Sequence, residues 1–443
     1  VPVQEVLKRD GRSVPFDAER VTLAIYKAAA AQGGHDRALS ESLSAKVVAL
    51  LGKAYPADQP PTVEEIQDVV ERVLIHSGHA RTAKAYILYR HDRERVRRWS
   101  ESSRIEPIPY RTMWEQLDWN VERGCHTVAG LNEIVRNGKL PALIQESEAR
   151  YESILDGAAR AVVSRRENLR FVIVAGPSSS GKTTTMHKLS ERLEAEGLHV
   201  IPMSLDNYFF NLECHPQDEF GDHDFETPEA MDLALINEHL ASLDQGRGID
   251  MPNYDFKTGL RLPETTRFNP GPDTVILLDT LHGLYGGLTA SVPDEHKFRL
   301  YIETISQLKG EDGRYVRWTD IRLLRRMLRD SRHRGYSTEE TILHWHFVRR
   351  SELKHIIPHQ GSVDYVVNGS LPYELLYLKK YLFDQFPPFL EKWRGDDART
   401  DAVIRAERTY ALLDSLDNVD DESIVPDSSI LREFIGGSRY SVH

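Results

Sequence analysis

The sequence predicts an α/β fold: a parallel sheet flanked by helices, preceded by a small N-terminal α+β module. Three observations carry this expectation. After residue 168, short apolar runs at 171–174, 199–204, 275–279 and 298–303 alternate with stretches of helical period. Such strand–helix alternation belongs to parallel sheets with helices on both faces. A glycine-rich turn joins the first of these runs to a helical stretch. Before residue 98, a hairpin signal leads into capped amphipathic segments.

The N-terminal module comes first. Residues 3–7 and 13–16 flank an Asp10-Gly11 turn, a strong hairpin signal. Asp17 can cap a helix that carries Val21, Ala24, Ile25 and Ala28. Gln32-Gly33-Gly34 breaks it, and a second helix is expected around 39–51. Thr62 and Glu65 form a capping box ahead of Ile66, Val69, Val70 and Val73. A last helix runs from residue 80 into a basic string at 90–98. The expected domains are therefore 1–98, a helical connector at 99–168, the α/β unit at 169–385 and a helical extension at 386–443. In the connector, Gly124, Gly130 and Gly138 act as breaks, and Trp114 and Trp119 suggest packing against a neighbour. Cys125-His126 reads as packing rather than catalysis.

The glycine-rich turn carries the chemistry. Gly176-Pro177-Ser178-Ser179-Ser180-Gly181-Lys182-Thr183-Thr184 fits G-x-x-x-x-G-K-[ST]. Its context, a buried strand before it and Met186, Leu189 and Leu193 at helical spacing after it, is that of a phosphate-binding P-loop. Backbone N–H groups and the positive end of the helix face the anion. Lys182 reaches the outer phosphates, and the Thr183 hydroxyl can hold Mg²⁺. Gly197 ends the helix. The next strand runs into Asp206, and the strand at 275–279 ends on Asp279. Ligand sites in such sheets lie beyond the carboxyl ends of the strands. Asp206 is the candidate base for an acceptor hydroxyl, and Asp279 a metal-holding carboxylate. The competing readings are a turn aspartate and a helix cap. Further on, Arg322, Arg325, Arg326, Arg329 and Arg334 form a dense cationic helix and loop that stops at Gly335. Arginines so placed can neutralise phosphate charge and exclude water as a lid.

Composition narrows the partners. Of 443 residues, 40% are hydrophobic and 28% charged, ordinary for a soluble protein of two or three domains. The net charge of −12 argues against a general nucleic-acid or membrane-surface binder. Two distant cysteines imply neither a disulfide framework nor a zinc site, so a reducing cytoplasm is expected. No apolar run reaches membrane-span length, and residues 1–5 lack signal-peptide character. The 18 histidines are scattered, and Pro358 separates His355 from His359.

Two resemblances refine this reading. Val6-Leu-Lys8-Arg9-Asp10-Gly11, Pro15-Phe16-Asp17, Val63-Glu-Glu-Ile-Gln67 and Ala83-Lys-Ala-Tyr86 resemble the ATP-cone domain, best known as the regulatory lid of ribonucleotide reductases. That resemblance implies a regulatory site for ATP or dATP, with Lys8 and Arg9 on its phosphates and Gln67 beside the nucleotide. The second runs through the P-loop, Leu205-Asp206-Asn-Tyr208, the stretch from Asp224 to Asp232, Pro252-Asn-Tyr254-Asp-Phe256 and Leu328-Arg329-Asp330 through Gly335. These resemble the uridine kinase and phosphoribulokinase family. His282-Gly-Leu and the segment from Ser429 to Ser438 point to its long bacterial uridine kinase-like members. The resemblance implies an ATP- and Mg²⁺-dependent kinase acting on a small-molecule hydroxyl, a nucleoside first, and a homo-oligomer. It makes Asp206 the base and places the ribose at Glu226. Tyr208, Tyr254 and Phe256 line the acceptor pocket, and Arg326, Arg329 and Arg334 serve the phosphates. Three departures bear on the acceptor. Glu226 replaces an Asp, Gly259 replaces a base-contacting His, and Asp279-Thr280 replaces Glu-Gly. A sugar phosphate or hydroxy acid is the alternative acceptor, and a non-catalytic nucleotide sensor the alternative class.

Overall fold

The computed structural model describes residues 3, 5–7, 13–30, 34, 36–55, 60–79, 82–83, 86, 109–216, 223–256, 258–396 and 399–441. Lys8, Arg9, the Asp10-Gly11 turn and the basic string at 90–98 lie outside these residues. The chain divides into two units, Val1–Arg104 and Ile105–His443.

In the first unit, β1 (Glu5–Leu7) pairs antiparallel with β2 (Ser13–Pro15), Val6 opposite Val14. Helices α1 (Ala18–Ala30), α2 (Arg37–Ala54) and α3 (Val63–His76) follow. Their starts are written locally. Asp17 accepts from the Glu19 N–H, Asp36 from the Leu39 N–H, and Thr62 with Glu65 completes the capping box. Ile25, Val47, Leu51, Val70 and Leu74 close a small apolar core.

The second unit opens with α4 (Tyr110–Glu122), α5 (Val128–Arg136) and α6 (Leu140–Val163). Then come β3 (Phe171–Ala175), α7 (Lys182–Ala195), β4 (His199–Ser204) and α8 (Leu233–Asp244). Two small hairpins follow, in which β5 (Ile249–Met251) pairs with β8 (Thr266–Phe268) around β6 (Tyr254–Asp255) and β7 (Leu260–Arg261). The chain continues through β9 (Thr274–Thr280), β10 (Lys297–Glu303), α9 (Trp318–Arg329), α10 (Thr338–Ser351) and β11 (Tyr365–Asn368). It closes with α11 (Glu374–Leu382), α12 (Phe386–Trp393), α13 (Thr400–Asp414) and the single turn α14 (Arg432–Ile435).

Five strands form one parallel sheet in the order β11-β10-β3-β9-β4. Side-chain alternation divides its core. Val172, Val174, Leu277 and Leu300 face one apolar layer, while Phe171, Ile173, Ile276 and Leu278 face the other. Both faces are covered, so β3 is buried at every position. The first layer also takes in Leu143 and Leu155 of α6, so the helices that precede β3 share the core of the sheet. The expected strands are present; β11 and the two small hairpins were not anticipated. Among the described residues, no helix is long and apolar enough to cross a membrane.

Candidate active site

Three neighbouring strands end together. In register, Val174 lies beside Asp279, and Asp279 beside Ser204. The chain then leaves β3 into the P-loop, β9 at Asp279 and Thr280, and β4 into a short turn holding Asp206. The carboxyl edge of the sheet therefore gathers the residues the sequence singled out.

The loop backbone is built for an anion. Ser179 has φ 59° and Gly181 φ 94°, left-handed values of the kind from which anion-binding loops are built. Gly176 has no space for a side chain, because a Cβ there would fall 2.4 Å from the Ile302 carbonyl oxygen. The Ser179 and Ser180 hydroxyls are buried and have no hydrogen-bond partner among the described residues. Orphaned buried donors of this kind fit a bound phosphate chain. Lys182 Nζ donates to the carbonyls of Gly176 (2.9 Å) and Pro177 (3.3 Å), folded over the loop. Thr183 is half-buried on the first turn of α7, where its hydroxyl and Asp279 could hold Mg²⁺.

Electrostatics tie these groups together. Burial lowers the Lys182 ammonium, and Asp279 and Asp206 oppose that shift. Burial pushes Asp279 up to about 7, with Asp206 adding repulsion and Lys182 opposing. Burial likewise brings Arg334 down to about 10, with help from Arg329, while Asp330 and Asp206 oppose it. Lys182, Asp206, Asp279 and Arg334 thus share one field. The Asn207 side chain accepts from the Tyr254 N–H at 3.3 Å, which links the Asp206 turn to β6. There Tyr254 and Phe256 meet edge to face at 5.1 Å, and the Arg334 guanidinium lies 5.1 Å from the Phe256 ring. A cavity of about 280 Å³ borders this region, lined by Leu212, Phe225, Arg326, Tyr336, His344 and Phe347 among others.

Other sequence candidates have protein partners. The Tyr208 hydroxyl bonds His239 Nδ1 at 2.8 Å, and the residue is fully buried. Glu226 receives Arg326 Nη1 at 2.6 Å, and Arg326 also reaches Ser178 Oγ (3.0 Å) and Asp330 (3.0 Å). Arg329 donates to Asp330 at 2.7 Å. In the first unit, Gln67 of α3 has a buried carbonyl oxygen without a partner among the described residues.

The arginine helix differs most from expectation. As a lid it would have a solvated face, yet α9 is buried from Asp320 to Arg329. Its guanidiniums brace the P-loop from outside. Arg322 donates to the Ser178 carbonyl (3.2 Å) and pairs with Glu303 and Glu352. Arg325 donates to the Ser180 carbonyl (3.3 Å) and pairs with Glu374 at 2.6 Å. The arginine spacing at i, i+3, i+4 and i+7 signals one face. Its carboxylate partners lie too far along the chain to be read locally. Two more groups escaped sequence reasoning. His282 is fully buried, with neither ring nitrogen partnered among the described residues, and burial beside His355 brings it down to about 3. Glu433, on α14, accepts from Thr184 on the first turn of the P-loop helix.

Known proteins match along the same lines. Residues 171–374 match the model of the Phosphoribulokinase / Uridine kinase family, and residues 4–95 that of the ATP cone domain. A uridine kinase from Chloroflexus aurantiacus is 30% identical over 197 residues, which is 44% of this chain and 85% of that protein. Uridine-cytidine kinase B of Dictyostelium discoideum is 29% identical over 199 residues, 44% of this chain and 74% of that protein. A solved structure described as a possible uridine kinase from Bacillus stearothermophilus has 18% identity and a TM-score of 0.30, covering 40% of this chain and 92% of that one. With a P-loop beside two strand-end carboxylates and matches over most of the relatives' length, the chain belongs to the phosphoribulokinase/uridine kinase family and carries an ATP cone domain in front of the kinase.

Proposed function

We propose that the chain is an ATP-dependent kinase that transfers the terminal phosphoryl group to a hydroxyl of a nucleoside, under control of adenine nucleotide at the cone. The observation that carries this reading is the shared field of Lys182, Asp206 and Asp279 at the ends of three adjacent strands.

Each group has a role that its surroundings support. Loop N–H groups and the Ser179 and Ser180 hydroxyls bind the phosphate oxygens, and Lys182 swings from its carbonyl partners to the outer phosphates. Thr183 and Asp279 would hold Mg²⁺, which would supply charge neutralisation. Asp206 orients the acceptor hydroxyl and takes its proton, an effect of about 10²–10⁴ in rate. Arg334, over the Phe256 ring and within the field of Asp206, offsets charge on the group in transfer and excludes water. Tyr254 and Phe256 give the acceptor an aromatic wall suited to a base. In the adjoining cavity, Arg326 is neutralised by Glu226 and Asp330. That pairing favours an uncharged acceptor over a sugar phosphate.

The test is ADP release, with mass-spectrometric identification of product, across nucleosides, sugar phosphates and hydroxy acids. A nucleoside is expected to stimulate release and gain one phosphate. Stimulation by a sugar phosphate instead would change the acceptor class. No stimulation by any acceptor would favour a sensor over an enzyme.

A further inference from the structure

The first turn of the P-loop helix already holds an anion, and it belongs to the chain itself. Glu433, on α14, lies 249 positions from Thr184 in sequence. Its Oε2 accepts the Thr184 backbone N–H at 3.0 Å and the Thr184 hydroxyl at 2.7 Å. Both residues are buried. The Thr184 N–H is one of the first-turn donors that a P-loop offers to phosphate. Glu433 also acts electrostatically on Lys182 and Asp279, so its charge lies within the catalytic field.

The carboxylate does not sit there alone. The Ile430 side chain covers Gly181 so closely that a Cβ on that glycine would fall 2.1 Å from Ile430 Cδ1. Ile430 also closes on Gly369, the residue after β11. Phe434 lies under the Arg325 guanidinium at 5.0 Å. The chain then turns at Gly436 and Gly437, both with positive φ, and continues along α7. There Tyr440 stacks on His187 at 5.5 Å, and Arg439 pairs with Glu191 at 3.2 Å. One more contact links this segment to the turn after α9: Arg332, in the turn that carries Arg334, donates to the Ile435 carbonyl.

We propose that residues 429–437 are an internal strap, in which Glu433 competes with nucleotide phosphate for the first turn of α7. Nucleotide then seats fully only when the strap lifts. Through Arg332, lifting also releases the turn that holds Arg334. The kinase domain therefore carries its own restraint, separate from the cone. This rests on the reading of the P-loop as the ATP site. A role in capping alone is the competing account, since Gly181 offers α7 no side-chain cap.

The two accounts separate in the full-length protein, with ADP as probe and hydrogen–deuterium exchange as readout. Protection of 176–186 reports nucleotide at this site and not at the cone. The strap account expects Glu433→Ala to tighten ADP at that peptide by roughly tenfold to a hundredfold, the strength of charge-assisted bonds removed from a competing closed state. Glu433→Gln should fall between. In the wild type, saturating ADP should speed exchange across 429–437. Unchanged or weaker ADP affinity in Glu433→Ala overturns the strap, as does unchanged or slower exchange of 429–437 while 176–186 becomes protected. The wild-type measurement decides even if the variant does not fold. If ADP protects 176–186 in neither protein, the strap and the ATP-site reading fail together.

Discussion

At the scale of single residues, His344 shows how environment rather than identity sets behaviour. Its ring stacks on Phe225 at 4.4 Å and leans on Phe347 at 4.7 Å at the edge of the cavity. Burial, reinforced by Arg326, brings it down from 6.5 to about 4. The unfolded chain takes this proton near pH 6.5 and the folded chain only near 4. Acidification through that window therefore favours unfolding, and the loss is complete below about 4. His344→Phe keeps the stack and removes the proton site. Its thermal midpoint should fall less than that of the wild type between pH 7.5 and 4.5, by an amount worth up to roughly 3 kcal/mol. Parallel curves for the two proteins would show that His344 takes its proton equally in the folded and unfolded chain. The residues of the site were unequally legible. Gly176, Lys182 and Asp206 could be read because a loop motif and a strand end are local features. The protein partners of Glu226 and Tyr208 could not be read, since Arg326 and His239 stand 100 and 31 positions away.

Elements follow the same division. The capping boxes at Thr62 and Ser337 are complete within four residues each, and Glu65 and Glu340 close them as the sequence pattern implies. Strand β11 spans only Tyr365–Asn368 and becomes a strand by pairing with β10, a contact no local pattern records. Helix α9 is the instructive case. Its arginines share a face, as expected, but that face is the underside of the P-loop. A solvated arginine stripe contributes little to stability, whereas removing one partner of a buried pair costs about 3–5 kcal/mol. Arg325→Ala should therefore destabilise the second unit by that amount in denaturant titration, because Glu374 would be left buried and unpaired. A loss below about 1 kcal/mol would mean that water reaches the pair.

The whole molecule divides into two units. The P-loop kinase sheet and the small α+β cone were both expected from their motifs, and the family models match each. Long-range closure was not legible. Residues 109–168 enter the core of the sheet through α6, and the C-terminal segment reaches α7. Tertiary packing decides both, and sequence spacing carries no trace of it. A regulated kinase needs two states that its ligands bind unequally. The proposed cone nucleotide and the proposed strap are two places where such a difference would arise, and in the proposed function both act through a transfer that Asp206 performs. The decisive measurement is acceptor-stimulated ADP release at saturating ATP by wild type and Asp206→Asn, with ADP affinity at the P-loop followed in parallel. A fall of about 10²–10⁴ in rate with nucleotide affinity unchanged is the predicted result. Equal rates in the two proteins would contradict it.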